Sequence, residues 1–228
     1  MQTTGYKLGV TTLWVLAALL WPASVMAQPG LADMASPVHQ IDFAGVPAST
    51  EALHIAQWVM ATGNHQGLPF ALVDKKNARI HVFNGQGRLR GTSPVLLGLA
   101  PGDHALPGSG QRVVSGLSLQ ERTTPAGRFL SEPGRNLSGE PVVWFDYAAA
   151  LAIHRVRPGR DEEQRLQRLA SATPHDNRIS LGCVVVPGTF YDTVVAPLLG
   201  RQHGVVYVLP ETKSAHEMFG TRQAALQR

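Results

Sequence analysis

The chain contains a single cysteine, Cys183, in 228 residues. One cysteine cannot form an internal disulfide, so a small disulfide-supported scaffold is excluded and the fold must rest on an apolar core. The composition supplies that core, since 44% of the residues are hydrophobic and 16% are charged. This length and composition fit one globular domain with short additions, and they exclude collagen-like, coiled-coil and wholly disordered chains.

The first 27 residues have the three parts of a secretory signal peptide. Residues 1–7 are polar with one positive charge, residues 8–21 are apolar, and compact residues precede a cleavage point after Ala27. We predict cleavage there and a periplasmic or secreted mature chain. The alternative is an uncleaved membrane anchor, although the apolar run is shorter than the ~20 residues that span a bilayer.

The charge balance excludes a dedicated nucleic-acid-binding protein. The formal net charge is +4, and Lys and Arg form no run of five. A mildly basic surface suits an anionic polymer such as a cell wall. The spacing of the nine histidines contains no H-E-x-x-H, and there is no C-x-x-C, so we predict no metal site.

Strand patterns dominate the chain after residue 68. Period-two alternation and turn signals predict strands over 70–74, 79–83, 88–99, 123–130, 141–147, 151–154, 178–186 and 204–210. Helical spacing is present over 49–63, 161–171 and 188–199. Hairpin signals outnumber strand–helix alternation, so we predict a mainly β chain (α+β) with a mixed or mainly antiparallel sheet and short helices.

The same patterns divide the chain into four segments. Residues 1–27 are the signal peptide, and residues 28–67 are an irregular lead-in with one helix. Residues 68–210 form one domain, and residues 211–228 are a polar tail that we expect to be loose.

The surroundings of Cys183 favour a nucleophile. A thiol becomes one when a base removes its proton and donors await the oxyanion. Gly182 lets a substrate carbonyl approach the backbone closely, and the N–H groups of Gly182 and Cys183 are candidate oxyanion donors. Among the histidines, His154 ends an apolar strand that would hold its ring rigidly. The alternatives are a buried apolar thiol and an intermolecular disulfide.

Several motifs follow one another in the order found in a known family. Residues 124–129 read T-P-A-G-R-F, Ile153 precedes His154, and residues 180–183 read S-L-G-C before a helix and a final strand. This order resembles the L,D-transpeptidase (YkuD-type) catalytic domain, which carries T-P-x-G-x-[FY], a His usually followed by Gly, and S-H-G-C-[IV]-[RN]. The resemblance covers residues 68–210.

The resemblance implies a β-sandwich-like mixed sheet and an enzyme of peptidoglycan. Cys183 would be the nucleophile and His154 its base, with no metal or organic cofactor. Gly182 and Ser180 would belong to the oxyanion region. The thiol would attack the diaminopimelate carbonyl of a donor tetrapeptide, expel the terminal D-alanine and pass the acyl group to an acceptor amine or to water. The products would be 3→3 cross-links or a protein attached to the wall.

Three positions depart from the family pattern. Leu181 stands where the family has His, Val185 where it has Arg or Asn, and Arg155 where Gly or Ser follows the base. A guanidinium near the thiol would help to hold an anionic peptide. Arg178, Arg155 and Arg128 are therefore candidate substitutes for the missing cation in the substrate region.

Two further functions stay open. The same thioester used with water gives an L,D-carboxypeptidase or a murein amidase. Leu181 and Val185 favour a catalytically silent wall-binding module, whereas Cys183 and His154 favour an enzyme. The predicted partners are peptidoglycan stem peptides, as tetrapeptide donor and amine acceptor. We predict no nucleic acid, and membrane contact only through an uncleaved signal segment.

Overall fold

The computed structural model describes residues 2, 41, 43, 45–112, 116–157 and 161–220. The predicted signal peptide, apart from residue 2, and residues 221–228 lie outside this described part of the chain. Within it, no helix combines the length and the apolar character that a membrane span requires.

Strands outnumber helices among the described elements, as the sequence predicts. The strands are β1 Phe70–Asp74, β2 Arg79–Phe83, β3 Leu89–Pro94, β4 Leu97–Gly98, β5 Gly127–Arg135, β6 Pro141–Asp146, β7 Leu151–Arg155, β8 Arg178–Ser180, β9 Val184–Val186 and β10 Gly204–Val208. In the described residues, eight of them form one sheet in the order β3-β2-β1-β10-β5-β6-β7-β9, and β4 pairs with β8. The pairs β1·β10 and β7·β9 are parallel, so the predicted mainly β, mixed-sheet class is confirmed.

The helical segments are short. They are α1 Thr50–Thr62, α2 Ser109–Arg112, α3 Arg165–Ala170, α4 Gly188–Phe190, α5 Ala196–Leu198 and α6 Ala215–Phe219. A π-helical turn, Tyr191–Val195, joins α4 to α5. The helix predicted over 49–63 is confirmed, because the Ser49 hydroxyl caps its first turn through the Ala52 N–H at 3.1 Å and Gly63, at φ 63°, ends it.

The two edges of the large sheet approach each other. Leu96, which follows β3, donates its N–H to the carbonyl of Val185 in β9 at 2.8 Å, and the reverse bond is 2.9 Å. The sheet is therefore nearly closed. Its inner face holds the main core, with buried side chains from β1, β2, β6, β7, β9, β10 and the helical turns from α4 to α5.

Helices α1 and α6 cover the outer face of β1, β2 and β10, where they form a second apolar core with those strands. The predicted loose tail is therefore wrong for residues 211–220. The Glu211 N–H donates to the Asp103 carboxylate at 2.8 Å, the Thr212 hydroxyl donates to the same carboxylate, and Ala215 is fully buried. These contacts are distant in sequence, so the polar composition of the tail does not reveal them.

Candidate active site

Two adjacent parallel strands place His154 and Cys183 on one face of the sheet. His154 of β7 is in register with Val185 of β9. Cys183 lies two residues before Val185 and is therefore level with Ala152 of β7. Because side chains alternate along a strand, all four face away from the main core. The fold thus places on one face the two residues that the sequence analysis assigns as base and nucleophile.

A tight turn presents Cys183. The Gly182 N–H donates to the Ser180 hydroxyl at 3.1 Å, and that hydroxyl donates to the Cys183 carbonyl at 2.7 Å. Gly182 adopts φ 130°, where a Cβ would lie 2.7 Å from the Thr123 carbonyl oxygen and 2.8 Å from the Leu151 side chain. This position therefore requires glycine. Gly182 and Ser180 shape the turn, in which the Gly182 N–H and the Ser180 hydroxyl are both hydrogen-bonded.

A buried threonine anchors this turn to the neighbouring loop. The Thr124 hydroxyl accepts from the Gly98 N–H at 2.8 Å and donates to the Gly182 carbonyl at 2.8 Å. Thr124 is fully buried, so both bonds are shielded from water. The first residue of the T-P-A-G-R-F motif therefore fixes the backbone immediately before Cys183.

The thiol of Cys183 lies in apolar surroundings. It is partly buried against a small cluster formed by Leu96, Leu169 and Val185. Its hydrogen bond goes to the Ala150 carbonyl, with sulfur and oxygen 3.7 Å apart. Burial raises the pKa of Cys183 above its ordinary value, although a backbone hydrogen bond and a nearby cation act in the opposite direction. The resting thiol is therefore protonated at neutral pH.

The ring of His154 is held in one tautomer. Its Nδ1 lies 2.8 Å from the carbonyl oxygen of Arg155. A carbonyl can only accept, so Nδ1 carries the proton and Nε2 keeps the lone pair. Burial lowers the pKa of His154. The hydrogen bond to the Arg155 carbonyl acts in the opposite direction, and the charge of Arg165 adds to the lowering. The imidazole is therefore neutral at pH 7 and has a nitrogen available to accept a proton.

Arg155 and Arg128 are engaged elsewhere in the fold. Arg155 donates to Asp192 at 2.6 Å, and its guanidinium lies 5.1 Å from the centre of the Tyr191 ring. Arg128 donates to the side chain of Asn64 at 2.8 Å. Neither contact directs the cation toward the Cys183 turn.

Arg178 belongs to a buried ion cluster instead of a substrate pocket. It donates to the Glu211 carboxylate, and at 3.2 Å to the backbone carbonyl of Lys75. The Lys75 ammonium lies 2.9 Å from the Asp103 carboxylate and 2.9 Å from the Thr124 carbonyl oxygen, with both charged side chains fully buried. The cluster therefore supports the loop that carries Thr124.

Two of the three departures from the family motif, Val185 and Leu181, differ in their environment. Val185 is 1% exposed and packs against Leu96 and Leu169, so an apolar side chain fits this position. Leu181 is exposed beside the turn. At both positions an apolar side chain therefore stands where the family pattern has a polar one.

Sequence reasoning missed three residues near Cys183 and His154. Arg157 places positive charge near Cys183, Arg165 does so near His154, and Leu169 covers the apolar cluster. All three follow β7 in segments without a motif. The predicted surface helix over 161–171 contains Leu169, but its charged composition gave no sign that this side chain would be buried.

Within the described residues, no group of three or more His, Cys, Asp or Glu side chains is placed to hold a metal ion.

Comparisons with known proteins give structural similarities at low sequence identity. No family model and no curated protein matches the chain. One similar solved structure is the catalytic domain of the E. faecium L,D-transpeptidase, with 18% identity over 62% of this chain and 96% of that one and a TM-score of 0.34.

A second is the Ldtfm–avibactam carbamoyl enzyme, with 17% identity over 63% of this chain and a TM-score of 0.35. A third is the helical cell shape determining protein Pgp2 from Campylobacter jejuni, with 14% identity over 64% of this chain and a TM-score of 0.40. The chain spans about half the length of each of these two, since the match covers 49% of both.

Proposed function

We propose that the chain is an exported cysteine acyltransferase that acts on peptidoglycan stem peptides. The observation that carries this proposal is that Cys183 and His154 lie on one face of adjacent parallel strands. The Arg155 carbonyl binds Nδ1 of His154, so the lone pair of Nε2 can accept a proton. The reaction makes 3→3 cross-links or attaches a protein to the wall. The chain is cleaved after Ala27 and works in the periplasm or outside the cell.

His154 acts as the base in the first half-reaction. Its Nε2 accepts the thiol proton of Cys183, and the sulfur attacks the diaminopimelate carbonyl of a donor tetrapeptide. The N–H of Gly182 is held by Ser180, so the N–H of Cys183 is the oxyanion donor that this turn offers. The carbon–nitrogen bond then breaks, and D-alanine leaves with the proton from His154. A thioester remains on Cys183.

The second half-reaction uses the same groups in reverse. An acceptor amine attacks the thioester carbonyl and loses a proton to Nε2 of His154, and that proton returns to the departing thiolate of Cys183. Both groups are neutral in the resting site, since burial raises the pKa of Cys183 and lowers that of His154. Before transfer, the thiol must turn from the Ala150 carbonyl toward the imidazole.

Mass spectrometry of the purified protein with meropenem tests this proposal. Because the chain has one cysteine, a thiol adduct reports on Cys183 alone. We expect a covalent adduct on the wild-type chain, none on Cys183→Ala, and acylation slowed by about 10²–10⁴-fold in His154→Ala. Muropeptide analysis after expression then separates the activities: new 3→3 dimers indicate transfer, whereas tripeptides without dimers indicate an L,D-carboxypeptidase.

A catalytically silent peptidoglycan-binding module is the second candidate. It is favoured by the hydrogen bond of the thiol to Ala150 and by the apolar cluster around Cys183. Absence of any meropenem adduct, with a thiol that still reacts after unfolding, would select this module over the enzyme.

A further inference from the structure

An open cleft lies on the outer face of β5 and β6. It has a volume of about 240 Å³, and seven residues line it: Leu130, Ser131, Glu132, Trp144, Phe145, Tyr147 and His203. Tyr147 is 72% exposed and Leu130 is 58% exposed. Leu130, Trp144 and Tyr147 belong to none of the apolar clusters that the described residues form. These side chains therefore present an apolar surface to solvent.

The aromatic part of the cleft is built on a glycine. The indole of Trp144 lies across Gly134 of β5, where a Cβ would come within 2.5 Å of the ring. The ring of Tyr147 meets the indole edge to face, with centroids 5.3 Å apart and planes at 75°. The absence of a side chain at Gly134 thus allows the indole to pack directly against the strand, and the ring of Tyr147 borders the indole on one side.

The cleft is close to the candidate active site on the same face. Trp144 is in register with Ala152 of β7, and Ala152 is level with Cys183. Neighbouring strands are about 4.8 Å apart, so the Cα atoms of Trp144 and Cys183 are separated by roughly 10 Å. The residue between them, Ala152, is small and buried. A ligand about 10 Å long spans the distance between the two places.

The polar groups of the cleft suit a neutral ligand. Glu132 and His203 line it, and neither forms an ion pair within the described residues. The lining holds no Lys or Arg. An anionic stem peptide would meet the Glu132 carboxylate without a compensating cation. A pyranose offers a C–H face to the aromatic rings and hydroxyl groups to Glu132 and His203, as small-ligand sites require.

We propose that this cleft binds one N-acetylhexosamine ring of a neutral β-1,4-linked glycan. The volume is below the about 300 Å³ at which drug-sized sites begin, so it suits a single ring. The choice of polymer rests on the proposed function, since the stem peptides hang from such a glycan. Binding of the sugar strand at Trp144 and Tyr147 would deliver its peptide toward Cys183.

Saturation-transfer NMR of the full chain with chitotetraose, the β-1,4-linked tetramer of N-acetylglucosamine, tests the proposal. We expect binding by the wild-type chain and by Cys183→Ala, and weaker binding of the α-linked maltotetraose. Trp144→Ala and Tyr147→Ala should each raise the dissociation constant about tenfold or more. Leu137→Ala is the matched control, because this residue is exposed on the β5–β6 hairpin away from the cleft lining, and it should bind as wild type.

Each other result overturns the inference. No binding of chitotetraose by the wild-type chain, or dissociation constants unchanged in both aromatic variants, would show that the cleft is not a sugar site. Binding of a free stem tetrapeptide that is lost in Tyr147→Ala would assign the cleft to peptide. Because Tyr147 is exposed, its variant remains informative if Trp144→Ala fails to fold. Sugar binding requires no acyl transfer, so this outcome is independent of the meropenem result.

Discussion

The hydroxyl of Thr124 donates a 2.8 Å hydrogen bond to the carbonyl oxygen of Gly182, 58 residues further along the chain. The same hydroxyl accepts from Gly98, so one buried oxygen joins the loop before β5 to the turn that presents Cys183. The position of Cys183 thus depends on a residue far away in the sequence.

We expect Thr124→Val to destabilise the fold and to slow acylation of Cys183. The variant leaves the Gly98 N–H and the Gly182 carbonyl without a partner, at a cost of roughly 1–3 kcal/mol for each buried group. Urea unfolding measures the first effect and the meropenem acylation rate the second. Thr124→Ser keeps the hydroxyl and should retain most of the stability and most of the acylation rate. Equal losses in Thr124→Val and Thr124→Ser would contradict this role.

Replacing Lys75 by Met should cost roughly 3–5 kcal/mol of unfolding free energy, because it leaves the fully buried carboxylate of Asp103 without its cation. The neighbouring Lys76 is the matched control. Its ion pair with Glu51 is partly exposed, so Lys76→Met should change stability by less than about 1 kcal/mol. Urea unfolding curves of the two variants give the comparison, and similar losses would refute it.

His81 makes stability depend on pH. Burial lowers the pKa of His81 to about 4, with a raising effect of Asp74 that does not compensate. The unfolded chain binds a proton near pH 6.5 and the folded chain does so only near pH 4. The stability that His81 contributes is therefore fully present above pH 6.5. It is lost as the pH falls toward 4, and the loss amounts to up to roughly 3 kcal/mol.

The variant His81→Asn tests that contribution. Its unfolding free energy should fall less between pH 7 and pH 4.5 than that of the wild-type chain, because other titrating groups are common to both. The same fall in both proteins would show that His81 is not its source.

Removing the side chain of Leu169 should expose the thiol. Leu169 is buried against the cluster that contains Val185 and Cys183, and burial is the main cause of the raised pKa of Cys183. In Leu169→Ala we expect faster alkylation by iodoacetamide and a lower pH midpoint of that reaction. Leu166, on the same helix, is 70% exposed, and Leu166→Ala should match the wild-type rate and midpoint. Equal rates in all three proteins would exclude a covering role for α3.

Much of the sheet could be predicted because its signals are local. The bounds of β1 and β2 agree with the period-two pattern, and Ser49 and Gly63 frame α1 through contacts within one turn. The assignment of His154 and Cys183 to one site rests on the order of the motifs. The sheet shows in addition that both residues lie on the same face. No local signal identifies the bridge of Leu96 to Val185.

No local signal identifies the ion-pair partner of Arg178 either. Arg178 was a reasonable substrate ligand by sequence, but its partner Glu211 lies 33 residues further on, in the segment expected to be loose. The same long-range ion cluster therefore accounts for the order of residues 211–220 and for the engagement of Arg178.

The place of β10 in the sheet has a consequence for folding. This last strand lies between β1 and β5, so the first strand gains its second neighbour only when residues 204–208 arrive. Loop closure across more than a hundred residues precedes that pairing, and folds dominated by such distant contacts form slowly. A growing chain therefore lacks the centre of its sheet until residues 204–208 have been synthesised, long after the residues of β1.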